Sequence, residues 1–344
     1  MKGIHGGDIY RNQIKFDFSV NVNPLGIPES VKNALYKAVE NCSNYPDISA
    51  EELKKAVSGM LAIPKENVLF GNGASELFMA IIHGIKPKKT VIPVPAFYGY
   101  EYAAEVADGE ILFYETNEIN DFCLREDFLS VLTEDVDILF LANPNNPTGK
   151  LMSREVLSNV LLHCLDKGID VVLDECFIEF CGKEGSMLQE IDNFPNLIIV
   201  RAFTKIFSVP GVRLGYLVCS NQLLLEKIDR QLPEWNISIF AQAVGVECAM
   251  QKSFIDKTVS FTQKERQFLE DGLKQAGFRV FPGEANFLLI YCEQPLYDRL
   301  LEKGILIRDC ANFRGLSKGF YRIAVKSRKE NEALLQAIGE IKWN

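Results

Sequence analysis

Histidine is scarce, with three residues, His5, His83 and His163, in a chain of 344. They stand too far apart for a histidine-based metal site, and no HExxH or paired-cysteine spacing accompanies them, so no protein-ligated transition metal is expected. Cysteine pairing is missing as well. The nine cysteines, Cys42, Cys123, Cys164, Cys176, Cys181, Cys219, Cys248, Cys292 and Cys310, form no CxxC pair, and several fall inside apolar runs. Reduced, mostly structural thiols follow from that pattern. There is no basic surplus: 37 Lys and Arg face 46 Asp and Glu, a net charge of -9. Without a dense Lys/Arg block interleaved with aromatics, nucleic acid is a poor partner. Apolar runs such as Leu197 to Val200 and Val171 to Leu173 fall far below the roughly 18 residues that span a bilayer. The residues from Met1 to Asp8 show no apolar signal core and no small-residue cleavage site, so a cytoplasmic location is expected.

What is present suits a globular protein, with 47% apolar and 24% charged residues. At about 150 residues per domain, the length suggests two domains. Strand-length apolar runs alternate with segments of helical period, as in Val136 to Leu141, Arg154 to Asp166 and Val171 to Leu173, which is a βαβ rhythm. Val68 to Phe70, Thr90 to Ile92, Ile111 to Tyr114, Asn196 to Val200 and Leu214 to Cys219 read as further strands. Their apolar centres suit a sheet covered on both faces by helices. Residues 31–225 therefore read as one large α/β domain. Residues 226–276 read as connecting helices, Leu223 to Leu232 and Phe254 to Gln275. Residues 277–344 read as a small α+β domain with strands at Phe278 to Phe281, Phe287 to Tyr291, Ile305 to Ile307 and Tyr321 to Val325. Its helices are expected at Pro295 to Glu302 and Lys329 to Ile341. Residues 1–30 read as an ordered arm.

Several short motifs carry chemistry. Gly71-Asn72-Gly73-Ala74-Ser75-Glu76 follows a strand and opens a helix, so free backbone N–H groups can face an anion there. A plain capped strand-to-helix turn would look similar. Asn143-Pro144-Asn145-Asn146-Pro147-Thr148-Gly149 fixes a rigid loop at a strand's carboxyl end, the edge where open α/β sheets bind ligands. Asp174-Glu175 closes an apolar run, where an ionised carboxylate requires a cationic partner. Lys205 sits in an apolar setting that favours its neutral, nucleophilic amine. Arg213 could serve a phosphate or pair with a carboxylate such as Asp174.

The order GNGASE, NPNNPTG, DE, TK and PGVRLGY resembles the fold-type I family of pyridoxal-phosphate enzymes, the aspartate aminotransferase superfamily, over nearly the whole chain. Within it the chain is similar to the branch that holds histidinol-phosphate aminotransferase and threonine-phosphate decarboxylase. The resemblance implies an α/β fold of that type: a large domain with a mostly parallel central sheet flanked by helices, and a smaller C-terminal α+β domain. It implies pyridoxal 5'-phosphate as cofactor, with Lys205 as its covalent anchor and proton shuttle and Asp174 as partner of the pyridine nitrogen. Asn146 matches the donor to the ring's phenolic oxygen, and Phe97 the side chain stacked on the ring. Gly73, Ala74, Ser75, Thr204 and Arg213 match the phosphate-binding set. Tyr45 matches a tyrosine that reaches the phosphate from the other subunit, so a homodimer is implied. One position departs from the family's frequent DExY motif, because Phe177 stands where a tyrosine would donate to the phenolic oxygen.

The head His5-Gly6-Gly7-Asp8, the stretch Asp17 to Gly26, Phe177 and the run Ile307 to Phe313 tilt the resemblance toward threonine-phosphate decarboxylase. That activity would convert L-threonine O-3-phosphate to (R)-1-aminopropan-2-yl phosphate for the cobamide side chain. The alternative is transamination of histidinol phosphate with 2-oxoglutarate; a non-catalytic pyridoxal-phosphate-binding homologue is a third reading. Matching positions imply that His5, Gly6, Asn23, Asn146, Arg308 and Arg322 surround a small phosphorylated substrate, the two arginines answering its phosphate and carboxylate.

Overall fold

The computed structural model describes residues 6–182 and 185–342. His5 lies outside the described residues. The chain enters as a short strand, β1 (Phe16–Asp17), then forms helices α1 (Glu29–Val39) and α2 (Glu51–Leu61). Seven strands follow: β2 (Val68–Gly71), β3 (Lys89–Val94), β4 (Glu110–Glu115), β5 (Ile138–Ala142), β6 (Asp170–Asp174), β7 (Leu197–Ala202) and β8 (Gly215–Val218). They build one sheet in the order β2-β8-β7-β6-β5-β3-β4, in which only β8 runs against the others.

The uninterrupted apolar centres of β5, β6 and β7 have a direct cause. Successive side chains on a strand point to opposite faces. Leu139, Leu141, Val171, Leu173, Leu197 and Ile199 enter the core on one face, whereas Ile138, Phe140, Val172, Ile198 and Val200 enter the core on the other. Helices α3 (Ala74–Ile85), α4 (Tyr98–Ala104), α5 (Arg154–Lys167), α6 (Phe203–Ile206) and α7 (Gln222–Asp229) lie between the strands or follow β8. Helix α5 shows how local chemistry sets an element's limits. Ser153 caps it by accepting the Val156 N–H at 3.2 Å, and Gly168, at φ 73°, ends it, a conformation glycine adopts without strain.

Residues 226–276 divide between the two layers. Helix α8 (Ile239–Ala249) packs on α1 and α2, with Ala241, Val244 and Cys248 in the same core as Val31, Leu53 and Val57. Gly245 makes that crossing close: a Cβ there would stand 2.4 Å from a Leu53 methyl. Helix α9 (Lys252–Gln275) is 24 residues long, about 36 Å at 1.5 Å per residue. Phe254 and Ile255 rest on the large sheet's core, and Leu269 and Leu273 enter the core of the small domain. There β9 (Arg279–Val280), β10 (Phe287–Tyr291), β12 (Arg308–Asp309) and β13 (Phe320–Ala324) form an antiparallel sheet in the order β12-β13-β10-β9. Between β10 and β12 lie helix α10 (Leu296–Glu302) and strand β11 (Ile305–Leu306), which pairs in parallel with β1; helix α11 (Arg328–Gly339) closes the fold. The strand expected at Ile305 to Ile307 is β11, Ile305–Leu306, and a second strand that was not expected, β12, begins directly after it at Arg308 and serves a different partner. The amino-terminal arm is stitched to this domain through β1 and through the Ala324 N–H donating to Phe18 O at 2.9 Å.

Candidate functional site

Register places the chemistry. Ala142, Asp174 and Val200 are aligned across β5, β6 and β7. The loop with Asn146, the Asp174 carboxylate and the turn with Lys205 therefore emerge together at the sheet's carboxyl edge. A cavity of about 550 Å³ opens there between the large domain, the small domain and the arm. Gly6, Ala74, Ser75, Phe97, Asn146, Asp174, Thr204, Lys205, Arg213, Arg308 and Arg322 all line it.

Asp174 and Glu175 share a dipeptide but face opposite ways. Asp174 Oδ2 accepts from the Tyr100 hydroxyl at 2.5 Å, and Oδ1 accepts from the Cys176 N–H at 2.9 Å. Burial raises the Asp174 carboxyl above its ordinary value, and these donors oppose the shift. Tyr100 is clamped between Phe140, stacked at 5.3 Å, and Phe78, edge-on at 5.1 Å. Glu175 turns into the protein, where Arg201 donates to its Oε2 at 2.6 and 3.0 Å and the Met187 N–H to its Oε1 at 2.8 Å. Arg201 therefore neutralises the buried acid behind the strand, and Arg213 is free for the cavity. Arg213 reaches its place through a left-handed backbone, φ 60°, beside Gly73, where a Cβ would come within 2.4 Å of Arg213 Nη2.

Gly73 caps helix α3 at φ 80°, so the first-turn N–H groups of Ala74 and Ser75 lack intrahelical acceptors and face the cavity edge. With the hydroxyls of Ser75 and Thr204 and the Arg213 guanidinium they form a cradle for a dianion. Lys205 lies opposite, its amine 6.0 Å from the centre of the Phe177 ring. Burial, with the Arg322, Arg213 and Lys326 charges acting in the same direction, lowers its pKa to about 8. Phe177 packs edge-on against Phe287 at 5.2 Å.

The small domain contributes two guanidinium groups. Arg308 and Arg322 stand directly opposite each other in the β12–β13 ladder. Arg322 donates to Asn146 Oδ1 and, at 2.8 Å, to Ser19 O; burial and the neighbouring Arg308 charge lower its pKa to about 10. Arg308 donates to Asn312 Oδ1 at 2.7 Å and lies 5.0 Å from the Phe313 ring centre, and burial pulls its pKa down as well.

One expected substrate residue lies elsewhere, and Tyr45, expected to act on the other subunit, lies on this chain's surface. Asn23 is not on the cavity wall, because its polar groups hold the backbone. Its side-chain amide donates to Ile206 O at 2.7 Å and to Thr258 Oγ1 at 2.8 Å, and its Oδ1 accepts from the Leu25 N–H at 2.9 Å. Asn21, two residues earlier, lines the cavity, and the end of its side-chain amide 3.2 Å from both Nε and Nη1 of Arg322 is assigned as the oxygen because both neighbours are donors. Tyr45 is 81% exposed and meets Trp235 at 5.1 Å on the surface. The sequence reading missed Tyr100, Ser19, Asn21 and Asn312; the alternation of Ser19 and Asn21 beside the arm's Asn-Pro was the available signal for two of them.

The arrangement offers an anion cradle, a buried carboxylate for a cationic nitrogen, an amine whose pKa burial lowers to about 8 and paired guanidiniums for a second anionic group. Residues 13–338 match the family model of aminotransferase class I and II. The chain is 35% identical to the threonine-phosphate decarboxylase of Salmonella typhimurium, over 94% of this chain and 90% of the relative. It is also 35% identical to the histidinol-phosphate aminotransferase of Clostridium kluyveri, over 87% of this chain and 84% of the relative. The crystal structure of the histidinol-phosphate aminotransferase from Clostridium acetobutylicum superposes with a TM-score of 0.89 at 36% identity, covering 94% of this chain and 98% of that one.

Proposed function

The chain belongs to the class I and II aminotransferases, a family of pyridoxal-phosphate-dependent enzymes, and from that premise we propose that it decarboxylates a phosphorylated amino acid. O-phospho-L-threonine is the leading substrate and (R)-1-aminopropan-2-yl phosphate the product. The residues present fit the cofactor. The dianion cradle at Gly73, Ala74, Ser75, Thr204 and Arg213 suits its phosphate, and the buried Asp174 carboxylate on the cavity wall suits a protonated pyridine nitrogen. Phe97 would cover its ring and Asn146 would reach its phenolic oxygen. When bound, pyridoxal phosphate supplies a conjugated sink for the electrons released at the substrate's α-carbon.

The protein's own work is holding and proton transfer. Lys205, its pKa lowered to about 8 by burial, would hold the cofactor covalently and could return a proton to the α-carbon after carbon dioxide leaves. The bond that breaks is the one held perpendicular to the cofactor's plane, so the groups gripping the substrate choose between losing the carboxylate and losing hydrogen. The observation that carries the reading is the pair Arg308 and Arg322, opposed in register and buried at one end of the cavity, which suits a substrate with both phosphate and carboxylate. The similarity to a threonine-phosphate decarboxylase along 94% of the chain supports it. Histidinol phosphate carries no carboxylate, yet the likeness to its aminotransferases keeps transamination as the second reading.

The test mixes cofactor-loaded protein first with O-phosphothreonine and then with histidinol phosphate plus 2-oxoglutarate, following carbon dioxide and glutamate. Carbon dioxide from the first mixture supports the decarboxylase; glutamate from the second without carbon dioxide from the first replaces it with the aminotransferase. The reading includes a homodimer, in which the surface Tyr45 reaches the partner's phosphate cradle. Sedimentation gives the assembly, and Tyr45→Phe should weaken cofactor retention only if the dimer forms.

A further inference from the structure

The loop from Cys310 to Leu316, between β12 and β13, carries a second set of contacts that the chemistry above does not use. Near the loop's start, Asn312 and Phe313 hold Arg308. Farther along, Arg314 crosses to the large domain. Its Nη2 donates to Glu101 Oε1 at 2.6 Å, its Nε lies 3.4 Å from Glu101 Oε2, and its guanidinium carbon sits 3.9 Å from the centre of the Phe113 ring. The next residue, Gly315, has φ +82°, and a Cβ there would stand 3.4 Å from Pro95 N and 3.5 Å from Val94 C. Glu101 lies on α4, one turn after Phe97, and Val94-Pro95 begins the loop that presents Phe97. Glu101, Phe113, Asn312, Phe313 and Arg314 all line the cavity. The loop is internally tied, with the Phe313 N–H donating to Cys310 O at 2.9 Å and the Leu316 N–H to Phe313 O at 3.0 Å. A displacement of Arg314 would therefore travel to the residues that hold Arg308.

We propose that Arg314 and Glu101 form a latch across the mouth of the site, a positioning pair that docks the substrate-side loop onto the Phe97 segment and keeps Arg308 aimed. The proposal deepens the substrate reading above and rests on it for its kinetic arm. The geometry suits a latch better than a fixed core contact: the Arg314 side chain is 47% exposed and Glu101 18% exposed, so the pair can part without opening a cavity. Arg314 is also the cation set among the acids Glu101, Glu105 and Glu115 at this rim. With Arg314 absent, those carboxylates would oppose an approaching anionic substrate.

The test compares Arg314→Ala, Glu101→Gln and the charge-reversed pair Arg314→Glu with Glu101→Arg, all loaded with pyridoxal phosphate. Amide hydrogen exchange of residues 311–316, measured without substrate, should rise roughly threefold to tenfold in each single variant, the range that a part-exposed bidentate pair with a stacked guanidinium supports. KM for O-phosphothreonine should rise by a similar factor, and kcat should fall with it, because Arg308 loses its aim and with it part of the substrate's orientation. The reversed pair should recover much of both effects, which a purely structural role for either side chain would not produce. Unchanged exchange in both single variants, or a reversed pair as impaired as the singles combined, overturns the latch. If the unaltered protein does not turn over O-phosphothreonine, the substrate reading falls while the exchange comparison still decides the latch.

Discussion

The depressed pKa of Lys205 can be measured before any substrate is known. An ordinary lysine at 10.5 is neutral in about one molecule in three thousand at pH 7, whereas at about 8 the fraction is about one in ten. The amine should then be roughly 300-fold richer in its nucleophilic form. Burial is the largest cause, and the Arg322 charge is the next that acts in the same direction. The perturbation is therefore Arg322→Gln, which removes that charge and keeps a polar side chain of similar reach. Cofactor-free protein is pulsed with an acylating reagent between pH 6 and pH 11, and modification of the Lys205 peptide is read by mass spectrometry with the exposed Lys318 as internal reference. Each profile is scaled to its own plateau, so that access to the cavity cancels. The unaltered protein should show a midpoint near 8, and the variant a midpoint displaced toward 10.5. A midpoint near 10.5 in the unaltered protein, or no upward movement on removing Arg322, refutes the electrostatic account of this lysine.

Tyr100→Phe removes one of the two donors on a buried carboxylate; a hydrogen bond to a charged group is worth about 1.5–3 kcal/mol. Pyridoxal phosphate should dissociate at least about tenfold more readily on dialysis, and equal retention would count against Asp174 as the cation's partner. Gly73→Ala places a methyl 2.4 Å from Arg213 Nη2 on a backbone at φ +80°. It should displace the guanidinium and weaken cofactor phosphate binding, and an unchanged cofactor affinity would mean that Arg213 does not complete the cradle. Glu175→Gln strands the buried Arg201 charge, a loss of about 3–5 kcal/mol. A urea midpoint that scarcely moves would show that Arg201 finds another acceptor.

The large sheet was legible because β5, β6 and β7 are buried on both faces, so their apolar residues run without interruption and only their ends are polar. The motifs at those ends were legible for the same reason: Asp174 closes its apolar run directly, and Asn146 and Lys205 lie within four residues of the ends of β5 and β7. Helix α8 was not foreseen. It is enclosed by α1, α2 and the sheet, so it lacks the polar stripe that betrays α9. Strand β12 was not foreseen because Arg308-Asp309 is a charged pair with no apolar alternation, and only its pairing with β13 makes it a strand, whereas β11 pairs with β1. Sequence alone does not separate Asn23 from Asn21, since both flank Val22 near the arm's Asn-Pro. Which of them faces the cavity depends on contacts with Ile206 and Thr258, residues more than 180 positions away. Tyr100 escaped notice since its sequence neighbours, Gly99 and Glu101, give no sign that its hydroxyl ends on Asp174.

The division of labour between the layers bears on reaction choice. Asp174, Tyr100, Lys205 and the phosphate cradle all belong to the large domain and would serve decarboxylation or transamination equally, since both begin by placing charge at the α-carbon. On the proposed reading, what differs is which bond stands perpendicular to the cofactor, and the cavity walls that would set it come from the arm and the small domain: Gly6, Ser19, Asn21, Arg308 and Arg322. Like charges placed directly opposite on adjacent strands repel, and Arg308 and Arg322 are so placed and buried as well. An arrangement that costs stability in the free protein is relieved when an anion lies between the two guanidiniums. The neutral acceptors around Arg322, Asn146 and Ser19 O, fix its direction without cancelling its charge. If the proposed substrate binds there, the repulsion is relieved by its anionic group, and the direction in which Arg322 is held would decide how the α-carboxylate stands.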